Sequence, residues 1–186
     1  MTSPEYFEGL YAASSDPWEL AERAYERRKH ALTVASLPRE RYGRGFEPGC
    51  SIGALTDLLS GRCDTLLATD PVAAPLVRAR AGVPSSNVTF AQQSVPDDWP
   101  EGPLDLIVLS ELLYYLSASG RVQVLAHVLD SLALDGHLVL VHWRHPFEAA
   151  TCTGDEAHRE IVECDGLVRV VEHLEEDFRL DVLARG

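Results

Sequence analysis

The chain is short of positive charge. Its 186 residues carry 16 Lys and Arg against 29 Asp and Glu, a formal net charge of -13, and the pI is near 4.8. A nucleic-acid partner needs a cationic face to neutralise phosphates, so none is expected. A C-x-x-C pair is missing. Cys50, Cys63, Cys152 and Cys164 are scattered. They read as free thiols of a reducing cytoplasm, not as a disulfide framework. The opening residues, Met1 to Tyr6, lack a basic region followed by an apolar stretch, so no secretory signal is expected. No apolar run approaches the length of a membrane span. Repeats, low-complexity tracts and linker-like stretches are absent too. The expectation is one domain over 1–186, with a helical N-terminal segment over 1–42 and a core over 43–186, present as a monomer or weak homodimer.

What the chain has is concentrated in two segments. Residues 46 to 53 read Phe-Glu-Pro-Gly-Cys-Ser-Ile-Gly, and residues 66 to 70 read Leu-Leu-Ala-Thr-Asp. The pattern is a strand closed by an acid, a glycine turn into a helix (52–60), then a second strand ending on Asp70. That is the front half of a nucleotide-binding βαβ unit. Gly49 and Gly53 let the backbone approach a ligand closely, and Asp70 can accept hydrogen bonds from both hydroxyls of a ribose. The dinucleotide fingerprint G-x-G-x-x-G makes room for a pyrophosphate. Here the spacing is Gly49-x-x-x-Gly53, and Glu47 would repel a pyrophosphate. A carboxylate at that place suits an ammonium and a sulfonium, which points to S-adenosylmethionine (SAM) over NAD.

The rest of the chain alternates strands and helices. Asp16-Pro17-Trp18 has the form of a helix start, predicting a helix to about Ser36. Strands are predicted at 44–47, 64–70, 88–91, 104–109 and 137–143, with helices at 71–81, 120–133 and 155–164. Strands at 167–173 and 178–184 close the chain as a hairpin that adds one antiparallel strand. This order predicts an α/β fold, a doubly wound, mostly parallel seven-stranded sheet with helices on both faces. Ligands of such sheets sit at the carboxyl ends of the strands, at the switch point.

The layout resembles that of the class I SAM-dependent methyltransferases over nearly the whole chain. Particular segments resemble the nodulation protein S (NodS) family: Asp16 to Trp18, Tyr25 to Lys29, Glu47 to Gly53, Leu109 to Leu116 and His142 to Pro146. Named members of that family N-methylate the free amine of a deacetylated chitooligosaccharide. The resemblance implies a SAM cofactor, released as S-adenosylhomocysteine, and a small-molecule or amino-sugar acceptor. It implies that Glu47, Gly49, Ser51 and Gly53 form the loop under the methionine and ribose, and that Asp70 holds the ribose. Pro71 would pack on adenine. The expected acid after the third strand is replaced by Gln92-Gln93-Ser94. The adenine contact therefore stays open between Gln93, Ser94 and a backbone group. Trp18 is either core or part of a lid that the N-terminal segment forms over the cofactor, and Arg28 either an exposed helix residue or a contact for the methionine carboxylate.

Ser110 and Glu111 follow the fourth strand, beside the expected methyl position. Glu111 either starts the next helix or accepts a hydrogen bond from the acceptor amine. Tyr114 and Tyr115 either stack on a sugar or fill the sheet edge. His142, with Trp143 and His145 near it, is expected to face the same crevice, and a neutral imidazole can take a proton from an ammonium. Glu111 and His142 are thus the catalytic candidates. The spacing of His142, His145, Cys152 and His158 fits no zinc pattern, and no metal is expected. Methyl transfer to oxygen or sulfur, and a non-catalytic SAM-binding role, are the alternatives.

Overall fold

The computed structural model describes residues 2–186. Its elements in chain order are α1 (Pro4–Ala13), α2 (Ala24–Ala35), β1 (Tyr42–Pro48), α3 (Ala54–Ser60), β2 (Cys63–Asp70), α4 (Ala73–Gly82) and β3 (Val88–Gln92). Then come β4 (Leu104–Ser110), a short 3-10 turn (Leu113–Tyr115), α5 (Ala118–Ser131), β5 (Leu132–Trp143), α6 (Gly154–Val162), β6 (Leu167–Leu174) and β7 (Phe178–Arg185). The strands make one seven-stranded sheet in the order β3-β2-β1-β4-β5-β7-β6. The β1–β2, β2–β3 and β4–β5 pairs are parallel, and β7 is antiparallel to both β5 and β6. The doubly wound sheet with one late antiparallel strand is as the strand pattern predicts.

The chain divides into two compact units, Ser3–Ser94 and Val95–Gly186 with Thr2. In the first, parallel pairing aligns Glu47 with Ala68 and Pro48 with Thr69, so β1 and β2 end side by side. Phe46, Leu59 and Leu66 close its core, each at most 1% exposed. In the second, Leu106 to Leu109 of β4 and Leu138 to Val141 of β5 are fully buried. These strands are covered on both faces, and their sequence is accordingly a continuous apolar run instead of an alternation.

The N-terminal helix departs from expectation. Residues 16 to 22 form turns, and α2 begins only at Ala24. Asp16 does accept amide hydrogen bonds, from Leu20 at 2.9 Å and Ala21 at 3.1 Å. The helix does not propagate from there because Glu19 takes a left-handed conformation, φ 56°. A separate helix, α1, precedes it and starts at Pro4, the first-turn position that tolerates proline. At β5 the strand starts at Leu132 and absorbs Asp135-Gly136 as an irregularity: Leu104 pairs with Leu132, but Leu106 with His137.

Gly53 joins the β1 turn to α3 with φ +82°, and a Cβ there would lie 3.1 Å from both Ala79 Cβ and Val83 Cγ2 of the α4 region. Conformation and close packing both demand glycine. Gly53→Ala should therefore cost about 1–3 kcal/mol, read as a lower urea midpoint at unchanged slope. An unchanged midpoint would mean that α4 yields at no cost.

Candidate functional site

The turn after β1 is built from left-handed residues: Gly49 (φ 78°), Ser51 (φ 51°) and Gly53 (φ 82°). Only Ser51 is strained by this, because it alone carries a Cβ. The strain is held by hydrogen bonds. The amides of Gly49 and Cys50 donate to Thr69 O at 2.7 and 2.9 Å. The Ser51 amide donates to Asp70 Oδ2 at 3.0 Å, and the Val72 amide to Asp70 Oδ1 at 2.9 Å. Asp70 thus staples the glycine turn to the end of β2. Burial pushes its carboxyl up to about 6 against the opposing effect of the two amide bonds. Each oxygen keeps a second lone pair for a further donor.

Glu47 ends β1 at 3% exposure. Thr56, one turn into α3, donates its hydroxyl to Glu47 Oε2 at 2.6 Å. No cation among the described residues pairs with it, and burial pushes its carboxyl up to about 8. The N-terminal segment reaches the same turn. Tyr11 of α1 shares a hydrogen bond with Ser51 Oγ at 2.6 Å, and Trp18 meets the Tyr11 ring edge-on at 5.6 Å. Arg28 is exposed on α2, whereas its neighbour Lys29 is buried in an ion pair with Glu26 at 2.8 Å.

Past β3, the Gln93 amide donates to Asp70 O at 3.2 Å, and Gln92 Nε2 donates to the carbonyl of the half-buried Pro71 at 3.0 Å. Gln93 Oε1 is a buried acceptor without a hydrogen-bond partner among the described residues. Ser94 is half-buried beside it. The first unit therefore gathers Glu47, the glycine turn, Asp70, Pro71 and Gln93 around the ends of its strands.

The second unit gathers the remaining candidates. Ser110 ends β4 half-buried. Glu111 follows in a left-handed conformation, φ 54°. Its Oε2 accepts from the Trp143 amide at 2.9 Å and from the Tyr114 hydroxyl. Glu111 therefore does not start a helix. Tyr114 is buried edge-on against Tyr115, His142 and Phe147, with ring centroids 4.9 to 5.2 Å apart. His145 is exposed, 4.8 Å from the Trp143 ring, and contacts Asp177 at 2.9 Å.

His142 requires a correction. It is 0% exposed. Its Nε2 accepts the amides of Leu113 at 3.0 Å and Leu112 at 3.3 Å, and its Nδ1 meets His158 Nε2 at 3.0 Å. Both ring nitrogens are engaged inside the fold, so His142 has no free position from which to take a substrate's proton. No cluster of metal-ligating groups occurs among the described residues.

The sequence reading missed Thr56, Tyr11 and Asp181, and it met His158 only in a set whose spacing fits no zinc pattern. Thr56 and Tyr11 look like ordinary helix positions. His158 lies on the buried face of α6 with Gly154, Ala157 and Ile161, at helical spacing. Asp181 is a charged residue among the buried apolar residues Leu180, Val182 and Leu183 of β7, and it is completely buried. A charge in such a place demands a partner, and that was its legible signal.

The model of the nodulation protein S family matches residues 10–161. Nodulation protein S of Rhizobium tropici is 34% identical over 131 residues, 68% of this chain and 55% of that protein. The chain spans between 51% and 61% of the length of the curated relatives it matches. Among solved structures, a methyltransferase-like protein of Pseudomonas syringae is 41% identical, covering 88% of this chain and all of that one, with a TM-score of 0.73. The N-methyltransferase NodS of Bradyrhizobium japonicum WM9, in complex with S-adenosylhomocysteine, superposes with a TM-score of 0.84 at 25% identity, over all of this chain and 99% of that one. The sheet order, the glycine turn and these matches agree: the chain belongs to the nodulation protein S family.

Proposed function

We propose that this chain is a SAM-dependent methyltransferase that methylates an amine. The observation that carries the reading is Glu47, a buried carboxylate with no cation beside it, next to a glycine turn stapled by Asp70. A pyrophosphate gains nothing from a carboxyl there, whereas an α-ammonium group favours its ionised form and completes the site. SAM supplies a methyl group on a sulfonium, which a nucleophile displaces in line. In this reading Glu47 binds the ammonium, Asp70 the ribose hydroxyls, and the turn of Gly49, Ser51 and Gly53 underlies the methionine and ribose. Pro71 packs on the adenine. Gln93 takes the adenine amino group, since its buried Oε1 is an acceptor still lacking a donor. Ser94, Trp18 and Arg28 remain secondary contacts. The relatives support the cofactor through the B. japonicum NodS complex with S-adenosylhomocysteine.

For the acceptor, Glu111 is the ionisable group, and Tyr115, Trp143 and His145 are the surrounding polar and aromatic surface, whereas Tyr114 is buried and holds Glu111 through its hydroxyl instead of stacking on a sugar. A carboxylate suits an ammonium or a polarised amine better than a neutral hydroxyl, which favours N-methylation over O-methylation. An amino sugar, the acceptor class suggested by the family, would offer the amine to Glu111 and a ring face to the aromatics. Positioning supplies most of the rate in such a displacement, up to about 7–11 kcal/mol. The enzyme is read as cytoplasmic; no helix of the described residues is long and apolar enough to cross a membrane.

Binding, stability and activity measurements test this. Calorimetry should show S-adenosylhomocysteine binding and no NAD binding; the reverse would overturn the reading. Burial pushes the Glu47 carboxyl up to about 8, so without a ligand it is mostly protonated at pH 7. An ammonium partner lowers that value, so binding at pH 7 should release a proton and tighten between pH 6 and pH 8. E47Q should release none and bind at least roughly tenfold more weakly.

The same group acts on stability with the opposite sign. A carboxyl raised in the folded state favours the protonated form, so its contribution is full below the unfolded value of 4.5 and is lost as pH rises towards 8. E47Q should therefore gain stability over the parent between pH 5 and pH 8, on the order of a few kcal/mol. Parallel pH curves would show that Glu47 is ionised throughout. Finally, E111Q should slow methyl transfer to glucosamine oligomers roughly 100-fold while leaving S-adenosylhomocysteine affinity intact. A full rate would reduce Glu111 to a turn residue.

A further inference from the structure

Three consecutive residues of β5 grip the segment that follows β4. Val141 O accepts the Glu111 amide at 2.8 Å. His142 Nε2 accepts the amides of Leu112 and Leu113. The Trp143 amide donates to Glu111 Oε2. The middle grip is the unusual one. A neutral imidazole has one acceptor nitrogen and one donor nitrogen. Two amides converge on Nε2, so the proton of His142 must sit on Nδ1. With that proton on Nε2 instead, three donors would face one another beside a fully buried ring.

What keeps the proton on Nδ1 lies deeper. His142 Nδ1 faces His158 Nε2 at 3.0 Å, and His158 Nδ1 faces Asp181 Oδ2 at 2.6 Å. All three side chains are 0% exposed. Asp181 also accepts from Arg179 Nε at 2.6 Å and lies 3.4 Å from an Arg169 nitrogen. Although burial pushes Asp181 up, its bonds from His158 and Arg179 hold it below the usual carboxylate range. Burial pushes the His158 imidazole down against the pull of Asp181, so that ring is neutral. An ionised carboxylate can only accept. It fixes the His158 proton on Nδ1, leaves His158 Nε2 as an acceptor, and thereby fixes the His142 proton on Nδ1 in turn. The fold is cut to permit this: a Cβ on Gly154 would lie 2.3 Å from Trp143 O and 3.0 Å from His142 Cβ. Only glycine lets α6 start against β5, and one turn later His158 meets His142.

We propose that His158 and Asp181 are positioning residues that act through His142: in series they set its tautomer, present its bare Nε2 to the Leu112 and Leu113 amides, and so lock Glu111 in its left-handed turn with the carboxylate aimed by Trp143 and Tyr114. The value of this lock for catalysis rests on the methyltransferase reading of Glu111, whereas the lock itself does not. A charge sensed only in the core would leave the loop indifferent to the His158 ring; a lock makes the loop depend on one acceptor nitrogen.

The test uses the full chain labelled with nitrogen-15. Imidazole spectra should show His142 and His158 both protonated on Nδ1 and bare on Nε2. H158L removes the acceptor. It should populate the other tautomer of His142, speed amide exchange at Leu112 and Leu113 roughly tenfold, and lower kcat for glucosamine-oligomer methylation at least tenfold. S-adenosylhomocysteine affinity should not change, because the proposed cofactor contacts for its methionine, ribose and adenine lie within Ser3–Ser94. H158Q offers a carbonyl acceptor to His142 and should restore slow exchange and most of kcat. A wild-type His142 protonated on Nε2 would overturn the proposal, and so would unchanged exchange at Leu112 and Leu113 in H158L. If H158L does not fold, the wild-type tautomers and the exchange rates of H158Q still decide. Absence of methyl transfer by a wild-type chain with the predicted tautomers would sink the methyltransferase reading and leave the lock standing.

Discussion

A carboxylate taken out of water must find a proton, a cation or a set of donors. That constraint organises the functional residues of this protein. Glu47, Asp70 and Asp181 are all at most 5% exposed, and each answers the constraint differently. Asp181 is satisfied outright by His158 and two arginines. Asp70 is satisfied in part, by two backbone amides that leave lone pairs over. Glu47 has a single hydroxyl, and burial, which pushes its carboxyl up to about 8, leaves it mostly protonated at neutral pH. The ranking separates framework from function. A fully met carboxylate holds the fold, and one left short of partners is the candidate for meeting a ligand.

Two backbone positions show what those carboxylates are for. Ser51 and Glu111 both take left-handed conformations that cost a side-chain-bearing residue on the order of 1–3 kcal/mol. Such strain persists only where the surroundings over-determine it. At Ser51 the surroundings are Asp70 on the amide and Tyr11 on the hydroxyl. At Glu111 they are the grips of Val141, His142 and Trp143 on β5. Each unit thus holds one strained turn at the end of a strand, and each turn presents a group the proposed chemistry needs.

The legibility of these features in the sequence followed their range. The glycine turn was readable because φ above zero selects glycine locally, and Glu47 and Asp70 were readable because they close apolar strands. β4 and β5 were readable as continuous apolar runs. The start of α2 was not: Asp16-Pro17 has a cap's chemistry, but whether a capped turn propagates depends on Glu19, whose side chain carries no sign of its conformation. His142 was misread for a different reason. Its place at a strand end is a local fact, but its engagement is set by His158, 16 residues on, and by Asp181, 39 residues on. Periodicity places a residue on a face and says nothing about which partner waits there. The one clue was Asp181 itself, an acid among apolar residues of β7.

The loss of His142 as a base also sharpens the chemistry. With its lone pair given to two backbone amides, the acceptor half retains Glu111 as its chief ionisable group. A carboxylate is a weak base for an alcohol, whose proton leaves only with strong assistance, but an adequate partner for an amine, whose nucleophilic form needs only to shed a proton before it arrives and to be aimed once there. A rigidly held carboxylate is therefore more useful here than a mobile base. The buried histidines fit that demand: they place no proton at the substrate, and their proposed role is to fix the geometry of Glu111, the residue proposed to meet it. The polar core behind Glu111 is then intelligible as preorganisation, in which bonds made at folding need not be rearranged when the amine attacks.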